Sequence, residues 1–311
     1  MSLSGLYGET DDADAYAVLD ACLDAGVSHI DTSNVYGMGR SETLIGNWLS
    51  QNPDARDRTT IATKAGITRR DGVRVFDNSP EHLEAELDDS LKRLGVDHVD
   101  LFYVHRREAD RPIEEVAGHL NRLVEKGKTR TIGFSEIAPS SLRRAATECQ
   151  IGAVQSEYSL STRAPELGLV QACAEVGAAM VAFSPVGRSL LTDAPFDQAR
   201  IDGIGFLKTN PRFMEPNFSA NMATNRAFRT LAADMGISAA GLAVAWTIAQ
   251  GDHVIPIPGT SSVAHLGELL EGTTRDLTAD DLTEIEKVLP VGWCHGDRYN
   301  EDQWIGPERY C

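Results

Sequence analysis

The sequence predicts an α/β fold, a (β/α)8 barrel whose first strand is short or missing. Short apolar runs alternate with amphipathic helical stretches along the whole chain, as in proteins built on a parallel sheet. No Gly/Pro-rich linker interrupts this alternation. A doubly wound sheet usually carries G-x-G-x-x-G after its first strand, and that motif is absent. The repetition of seven or eight such units therefore favours the barrel.

Each strand is predicted from about five near-continuous apolar residues, the pattern of parallel strands that are covered on both faces. The strand candidates are VSHIDTS, TTIATKA, HVDLFYVHR, TRTIGFS, AVQSEYS, AMVAFSPV and HVIPIPG. The helices between them show apolar spacing near 3.6 residues. The clearest is SPEHLEAELDDSLKRLG, in which Ser79 is the N-cap, Pro80 the first helical residue and Gly95 the stop. The helix DADAYAVLDACLDAG opens on acidic residues and closes on Gly26. The other helices are PIEEVAGHLNRLVEKG, APSSLRRAATECQ, PELGLVQACAEVG, ATNRAFRTLAADMG, SAAGLAVAWTIAQG and SSVAHLGELLEG.

Length and composition indicate one globular domain. The chain has 311 residues, of which 42% are apolar and 24% charged. We expect a single domain over residues 1–311, in which residues 290–311 form a C-terminal tail over the barrel mouth. The net charge of −17 argues against nucleic acid or an anionic membrane as a partner. No run approaches the roughly 20 apolar residues of a membrane span, and no secretory signal is visible, so we expect a cytoplasmic protein.

The five cysteines are scattered, without CxxC spacing, and predict reduced thiols rather than disulfides. No Cys/His cluster indicates zinc, so no metal site is predicted. The oligomeric state stays open between a monomer and a homo-oligomer.

Polar residues follow several predicted strands, where barrel enzymes place their working groups. Asp31, Lys64 and His105 end three successive runs, and Tyr36 lies on the loop after the first of them. Alone, each has an ordinary reading, such as a helix cap or a structural histidine. Together they supply a carboxylate that holds a lysine charged, and a cation that favours ionisation of a phenol. His105 is suited to orienting a substrate oxygen. This is equipment for proton transfer to an oxygen beside a hydride-transfer centre.

These segments resemble the aldo-keto reductase family, barrel enzymes that reduce aldehydes and ketones to alcohols with a nicotinamide cofactor. DTSNVYGMGRSE resembles the family motif D-T-A-x-x-Y-G-x-G-x-S-E, TKAG its lysine segment and DLFYVHR its histidine segment. The similarity continues through TRTIGFSE, AVQSEYSL, AFSPVGRSLLT, PRF and IPIPGT, so it covers residues from about 5 to about 300. The resemblance implies that Tyr36 is the general acid, that Lys64 lowers its pKa, that Asp31 pairs with Lys64, and that His105 orients the carbonyl.

The resemblance also implies a cofactor site. Ser135 and Gln155 would bind the nicotinamide carboxamide, and Tyr158 would stack on the ring. The pyrophosphate and ribose would lie against Ser184, Pro185, Val186, Gly187, Ser189 and Leu191. The adenosine half would lie along Gly259, Thr260, Ser261, His265 and Glu268.

Three positions in or beside that site depart from the family pattern. Glu136 stands where many members have asparagine, which marks a subgroup and removes an amide donor. Ser261 and Ser262 stand where relatives usually place Lys or Arg, which grip the 2′-phosphate of NADPH. Only His265 remains there as a possible cation. The expected cofactor is therefore NADPH or NADH, with weakened preference for NADPH.

The chain start and end leave alternatives open. Family members have a first strand before the counterpart of SLSGLYG, whereas Met1 stands where that strand would end. A misassigned or trimmed start and a genuine seven-strand variant both explain this. The C-terminal residues Trp293, His295, Tyr299 and Trp304 are candidates for the substrate pocket or for ordinary packing.

The leading expectation is an enzyme that acts on a small carbonyl compound. The alternatives are a cofactor-binding sensor or auxiliary subunit with little turnover, and a pyridoxal-type reductase.

Overall fold

The computed structural model describes residues 2–5, 7–8 and 11–310. Met1 and Cys311 lie outside the described residues. The strands are β1 (His29–Asp31), β2 (Thr60–Ala65), β3 (Ile67–Arg70), β4 (Val73–Phe76), β5 (Val99–Val104), β6 (Thr129–Ser135), β7 (Ala153–Glu157), β8 (Ala179–Phe183) and β9 (Val254–Ile257). The longer helices are α1 (Asp12–Asp24), α2 (Arg40–Gln51), α4 (Pro80–Leu94), α5 (Ile113–Glu125), α6 (Pro139–Ala145), α7 (Leu169–Val176), α10 (Asn217–Asp234), α11 (Ala239–Ile248), α12 (Val263–Glu271) and α13 (Ala279–Val288). The short ones are α3 (Ala55–Arg58), α8 (Gln198–Asp202) and α9 (Gly205–Lys208), and 3-10 turns lie at Ser2–Ser4, Ala164–Leu167, Gly187–Ser189 and Pro211–Phe213.

Seven of the strands form one parallel sheet in the order β1-β2-β5-β6-β7-β8-β9. Each contains the core of one predicted apolar run. β2 and β5 are almost wholly buried, because helices cover parallel strands on both faces. No strand precedes β1 in residues 2–5, 7–8 and 11–28, in line with the short start that the sequence predicts.

The predicted signals set the ends of the helix α4. Ser79 is the N-cap and accepts a hydrogen bond from the backbone N–H of His82, Pro80 opens the helix, and Gly95 closes it in the left-handed region. In α1, Asp11 is the N-cap and Gly26 has a φ of 79° just beyond the C-cap. The local sequence therefore determines both ends of these helices.

The chain contains an antiparallel hairpin, β3–β4, that the sequence reading missed. Its turn is Asp71-Gly72, both with positive φ, the residue pair that favours a type I′ hairpin turn. The helix α2 was also missed. Its N-cap is Gly39 in the left-handed region and makes no side-chain cap bond, so the sequence carries no start signal of the usual kind.

Two compact units divide the chain. One comprises Met1–Gln155, Gln171–Ala179 and Gly306–Cys311, and the other Ser156–Val170 and Met180–Ile305. The expected single domain over residues 1–311 stays a prediction.

Among the described residues, no single helix is long and apolar enough to cross a membrane. α10 and α11 reach that length and composition only together, and they are bent by 86° at the break between them.

Candidate active site

A buried ion pair joins the ends of the first two strands of the sheet. Lys64 on β2 is fully buried, and its ammonium donates to Oδ1 of Asp31, the last residue of β1. The ammonium also donates to the backbone oxygen of Thr32 at 2.8 Å. Oδ2 of Asp31 accepts a hydrogen bond from Nε2 of Gln155 at 2.8 Å. The contact between Asp31 and Lys64 is the pairing that the sequence predicts, whereas the hydrogen bond from Gln155 to Asp31 was not predicted, and the role of Gln155 towards a carboxamide stays a prediction. Burial lowers the pKa of Lys64, and the Asp31 carboxylate raises it.

Tyr36 lies against this pair with only 8% of its surface exposed. The Lys64 ammonium is 5.1 Å from the centroid of its ring, and the ring meets His105 edge-on with centroids 5.7 Å apart. Among the described residues, none makes a hydrogen bond to its hydroxyl.

The pKa of Tyr36 differs from the expected direction. Burial raises it well above its ordinary value, the Asp31 carboxylate raises it further, and the Arg106 guanidinium lowers it. The reason is that Lys64 already holds Asp31 and faces the aromatic ring, while burial penalises the phenolate. The phenol is therefore protonated in this state, as a proton donor must be.

His105 directly follows β5, and Nδ1 of its ring lies 3.1 Å from Oγ of Ser33. That hydroxyl also lies 3.2 Å from the backbone oxygen of Lys64, so the three groups form one network. Burial lowers the pKa of His105 well below its ordinary value, and the cations of Arg106 and Lys64 lower it further. The imidazole is thus neutral near neutral pH, and Nε2 is left to meet a substrate oxygen as either donor or acceptor.

The two groups expected to bind a carboxamide lie side by side on adjacent strands, Ser135 at the end of β6 and Gln155 within β7. Ser135 of β6 pairs in register with Gln155 of β7. Oγ of Ser135 accepts a hydrogen bond from Nη1 of Arg106 at 3.1 Å, and Gln155 donates to Asp31. Glu136 is 1% exposed and has a φ of 59°, a left-handed conformation that is uncommon for a residue with a side chain. Its backbone oxygen accepts a hydrogen bond from the N–H of Glu308 at 2.8 Å.

A buried carboxylate, that of Glu42, lies at the start of α2, the helix that follows the loop carrying Tyr36. Glu42 on α2 is fully buried and accepts hydrogen bonds from Oγ1 of Thr63 at 2.5 Å and from Nε of Arg93 at 2.7 Å. It thereby ties α2 to β2 and α4. Next to it, a Cβ added at Gly46 would lie 2.2 Å from the backbone oxygen of Arg93, so only glycine permits this approach of α2 to α4.

The segment expected to bind pyrophosphate follows β8 and is rich in left-handed residues. Ser184, Gly187, Arg188 and Ser189 all have positive φ. The backbone N–H of Gly187 donates to the oxygen of Ser184, which closes a turn that contains Pro185. The backbone N–H of Leu191 donates to the oxygen of Val186, which closes a second, wider turn.

The sequence reading passed over the side chain of Arg188. Its guanidinium donates to the buried carboxylate of Glu157 at 2.6 Å and to the backbone oxygen of Arg298 at 3.1 Å. Arg212, from the PRF segment, approaches the same carboxylate at 3.4 Å. The signal was present in the sequence as Glu157 in AVQSEYSL. However, nothing in sequence spacing links it to arginines so far along the chain.

The segment expected to hold adenosine leads into α12. Oγ1 of Thr260 accepts a hydrogen bond from the N–H of Ser262, which is itself the N-cap of α12 and accepts from the N–H of His265. Ser261 and His265 are exposed, as is Gly259, while Glu268 is half-buried. Apart from His265, no residue of 259–268 carries a cationic side chain.

Tyr158 is 1% exposed, and its hydroxyl donates to Glu166 at 3.0 Å. Its ring meets that of Trp246 edge-on at 5.5 Å. Phe183, which ends β8 beside Ser184, is by contrast only half-buried. The sequence reading did not single out Phe183.

The C-terminal aromatic residues are packed rather than free. Trp293 is 7% exposed and donates from Nε1 to the oxygen of Leu160 at 2.8 Å, and Tyr299 meets Trp304 edge-on at 5.5 Å. His295 is exposed. Whether these residues line a substrate pocket stays a prediction.

The described residues were also compared with the predictions on metal sites and cysteines. Within residues 2–5, 7–8 and 11–310, no group of three or more His, Cys, Asp or Glu side chains could hold a metal ion. Within the same residues, Cys22, Cys149, Cys173 and Cys294 are free thiols.

The family model described as the aldo/keto reductase family matches residues 1–290 of this chain. The chain belongs to the aldo-keto reductase family. A curated relative, aldo-keto reductase yakc [NADP(+)] of Schizosaccharomyces pombe, is 36% identical over 304 residues, which cover 96% of this chain and 89% of the relative. Probable aldo-keto reductase 1 of Glycine max is 36% identical over 301 residues, which cover 96% of this chain and 86% of the relative. The predicted family and enzyme class are confirmed.

Solved aldo-keto reductases confirm the fold class. Glycerol dehydrogenase AKR11B4 from Gluconobacter oxydans superposes with a TM-score of 0.81 at 27% identity, over 93% of this chain and 89% of that one. The holo form of AKR11C1 from Bacillus halodurans gives a TM-score of 0.77 at 24% identity, over 97% and 93% of the two chains, and supports the fold alone. The chain is an aldo-keto reductase with the (β/α)8-type fold, here with seven parallel strands in the described residues.

Proposed function

We propose that this protein reduces a small aldehyde or ketone to the alcohol, using a nicotinamide cofactor and Tyr36 as the general acid. The observation that carries the proposal is the assembly of Asp31, Tyr36, Lys64 and His105 at adjacent strand ends, with Tyr36 protonated. The neutral donors and acceptors of Ser135 and Gln155 beside them suit a carboxamide, which is itself neutral and makes both kinds of hydrogen bond. Bound there, a reduced nicotinamide supplies a hydride.

Each residue of the site then has one task. Tyr36 gives its proton to the carbonyl oxygen, and neutral His105 holds that oxygen through Nε2. Lys64 is paired with Asp31 and places its ammonium 5.1 Å from the centre of the Tyr36 ring, where its positive charge partly offsets the cost that burial sets on the phenolate once the proton has left. Tyr36, Lys64 and His105 are buried and Asp31 is only 12% exposed, so little water reaches these side chains and the interactions between them are strengthened.

Replacing Tyr36 by Phe tests the mechanism. General acid catalysis is worth about 10²–10⁴-fold, so kcat for an aldehyde should fall by that factor. Since the hydroxyl has no recorded partner among the described residues, cofactor affinity and stability should stay nearly unchanged. Tyr16→Phe on α1 removes the same hydroxyl from a half-buried position and is the matched control. Near-full reductase activity of Tyr36→Phe, with cofactor still bound, would contradict the assignment.

We further propose that NADH serves comparably to NADPH. What supports this is that residues 259–268 offer only the exposed His265 as a cation, whereas a 2′-phosphate calls for charge-assisted contacts. The S. pombe relative is named for NADP(+), so a comparison of NADH with NADPH tests whether this chain differs from that relative. Fluorescence titrations with both cofactors decide it, and binding of NADPH at least 100-fold more tightly than NADH would overturn it.

We assign stacking on the nicotinamide ring to Phe183 rather than to Tyr158. Support comes from burial, because Tyr158 is packed against Trp246 while the half-buried Phe183 ends β8. Phe183→Ala should weaken cofactor binding more than Tyr158→Phe does. The screen for substrates should include pyridoxal beside simple aldehydes and ketones.

A further inference from the structure

Hydrogen bonds to the main chain fix the position of the segment that carries Arg106, next to His105. It directly follows His105 at the end of β5. The fully buried Asn78 donates from Nδ2 to the backbone oxygen of Arg106 at 3.1 Å and accepts from the N–H of Glu108 at 2.8 Å. These two bonds fix the course of the segment, so the half-buried Arg106 side chain starts from a defined position.

The described hydrogen bonds of the Arg106 guanidinium go to neutral oxygen atoms. Nη1 donates to the backbone oxygen of His105 at 2.6 Å and to Oγ of Ser135 at 3.1 Å, both neutral acceptors. Among the residues that the structure describes, no carboxylate lies within ion-pair distance of its guanidinium. Its neighbours differ, since Arg107 pairs with Glu308 and Arg111 with Glu108. An arginine left without a carboxylate is notable in a protein of net charge −17.

The Arg106 cation is close enough to influence three groups of the site. It lowers the pKa of Tyr36, of His105 and of Lys64. The geometry places it there independently, because Nη1 lies 2.6 Å from the backbone oxygen of His105 and 3.1 Å from Oγ of Ser135 at the end of β6. With two bonds recorded to neutral acceptors, a guanidinium of five N–H donors retains capacity for an anion.

We propose that Arg106 binds a carboxylate carried by the substrate, so that the enzyme prefers aldehydes and ketones bearing an acid group. The planar fork of a guanidinium matches a carboxylate in a two-bond contact, which explains why an arginine rather than a lysine suits this position. This inference rests on the proposed reductase function and specifies its substrate class.

The test compares 4-carboxybenzaldehyde with its methyl ester. Both have the same aldehyde and ring, and they differ by one negative charge. The wild-type protein, with NADPH or NADH in excess, should have the higher kcat/KM for the acid. A hydrogen bond to a charged group contributes about 1.5–3 kcal/mol, so Arg106→Gln should lower kcat/KM for the acid about 10- to 100-fold more than for the ester. The acid-to-ester ratio of kcat/KM is compared between the wild type and the variant, so the difference in intrinsic reactivity of the two aldehydes cancels.

Two further variants complete the design. Arg106→Lys keeps the charge but loses the fork, so its acid-to-ester ratio should fall between those of wild type and Arg106→Gln. Arg111→Gln makes the same change of net charge in the same segment, but at an arginine already paired with Glu108 and Glu115. It should leave the ratio at the wild-type value.

The outcomes separate the inference from the function on which it rests. Reduction of the ester without preference for the acid, or an equal ratio in wild type and Arg106→Gln, overturns the role of Arg106 and leaves the reductase intact. An equal fall for both aldehydes with a displaced pH profile also overturns it, because Arg106 would then act only on Tyr36. Failure of the wild type to reduce either aldehyde, with cofactor bound, counts against both proposals.

Discussion

Removing the Lys64 ammonium should cost stability as well as activity. Lys64 is fully buried and Asp31 is 12% exposed, so the Lys64→Met variant leaves a nearly buried carboxylate without its cation. Loss of one partner of a buried ion pair costs about 3–5 kcal/mol. Here the hydrogen bond from Gln155 to Asp31 remains, and the carboxylate reaches some solvent, so the lower end, about 3 kcal/mol, is expected.

The assay is urea unfolding, followed by tryptophan fluorescence, with thermal unfolding as a second measure. A chain of 311 residues has an unfolding entropy near 0.65 kcal/mol/K, so a loss of about 3 kcal/mol lowers the midpoint by about 4–5 °C. Lys92→Met is the matched control, because Lys92 pairs with Asp89 at 2.8 Å while 76% of its side chain is exposed. It should not change stability measurably.

A double variant tests whether the unpaired Asp31 carboxylate causes the loss of stability in Lys64→Met. Adding Asp31→Asn to Lys64→Met removes the stranded charge but keeps a polar side chain opposite Gln155. The double variant should recover about 1–2 kcal/mol of the loss, a coupling typical of residues in contact. A loss under about 1 kcal/mol for Lys64→Met, or a double variant no more stable than the single one, would refute the reasoning.

Three further perturbations test other parts of the structure. The pKa of His105 is lowered in the folded state, so below about pH 6.5 the unfolded state binds a proton that the folded state does not. The free energy of unfolding should therefore fall as the pH drops, by at most about 1.4 kcal/mol per pH unit. In His105→Gln, the free energy of unfolding measured with urea at several pH values should depend less steeply on pH. Glu308→Gln removes the ion pair with Arg107, and hydrogen exchange at residues 306–310 should quicken; unchanged protection would argue against an anchoring role. Gly46→Ala should destabilise by about 1–3 kcal/mol through overpacking, whereas Gly118→Ala, also on a helix but with open space around it, should be neutral or stabilising; equal effects on the urea midpoint would contradict the close contact.

The parallel strands could be predicted from the sequence because each is short, apolar and covered on both faces. Ile61, Phe102 and Phe134 at their centres are essentially fully buried, and such runs look alike wherever they occur. The hairpin β3–β4 escaped because its residues are exposed and contain several arginines, so apolar alternation is weak there. Only the Asp71-Gly72 pair announced it.

The site could be predicted in its residue types but not in its electrostatics. Asp31, Tyr36, Lys64 and His105 were visible because strand ends in a barrel meet at one face. The net shift of the Tyr36 pKa depends on burial and on which side of the ring a cation occupies, and spacing along the chain encodes neither. Arg106 could not be singled out from the sequence for a similar reason, since the absence of a carboxylate beside it among the described residues depends on which groups are neighbours in space.

Glu42 fixes the start of the helix that follows the loop carrying Tyr36. The helix α2 starts at Arg40, four residues after Tyr36, and its buried carboxylate is held by Thr63 and Arg93. The loop that carries Tyr36 is therefore followed directly by a helix whose first turn is tied to β2 and α4 by buried contacts. Substitution of Arg93, which is 28% exposed, would therefore alter a contact at the start of α2 without changing Asp31, Tyr36, Lys64 or His105.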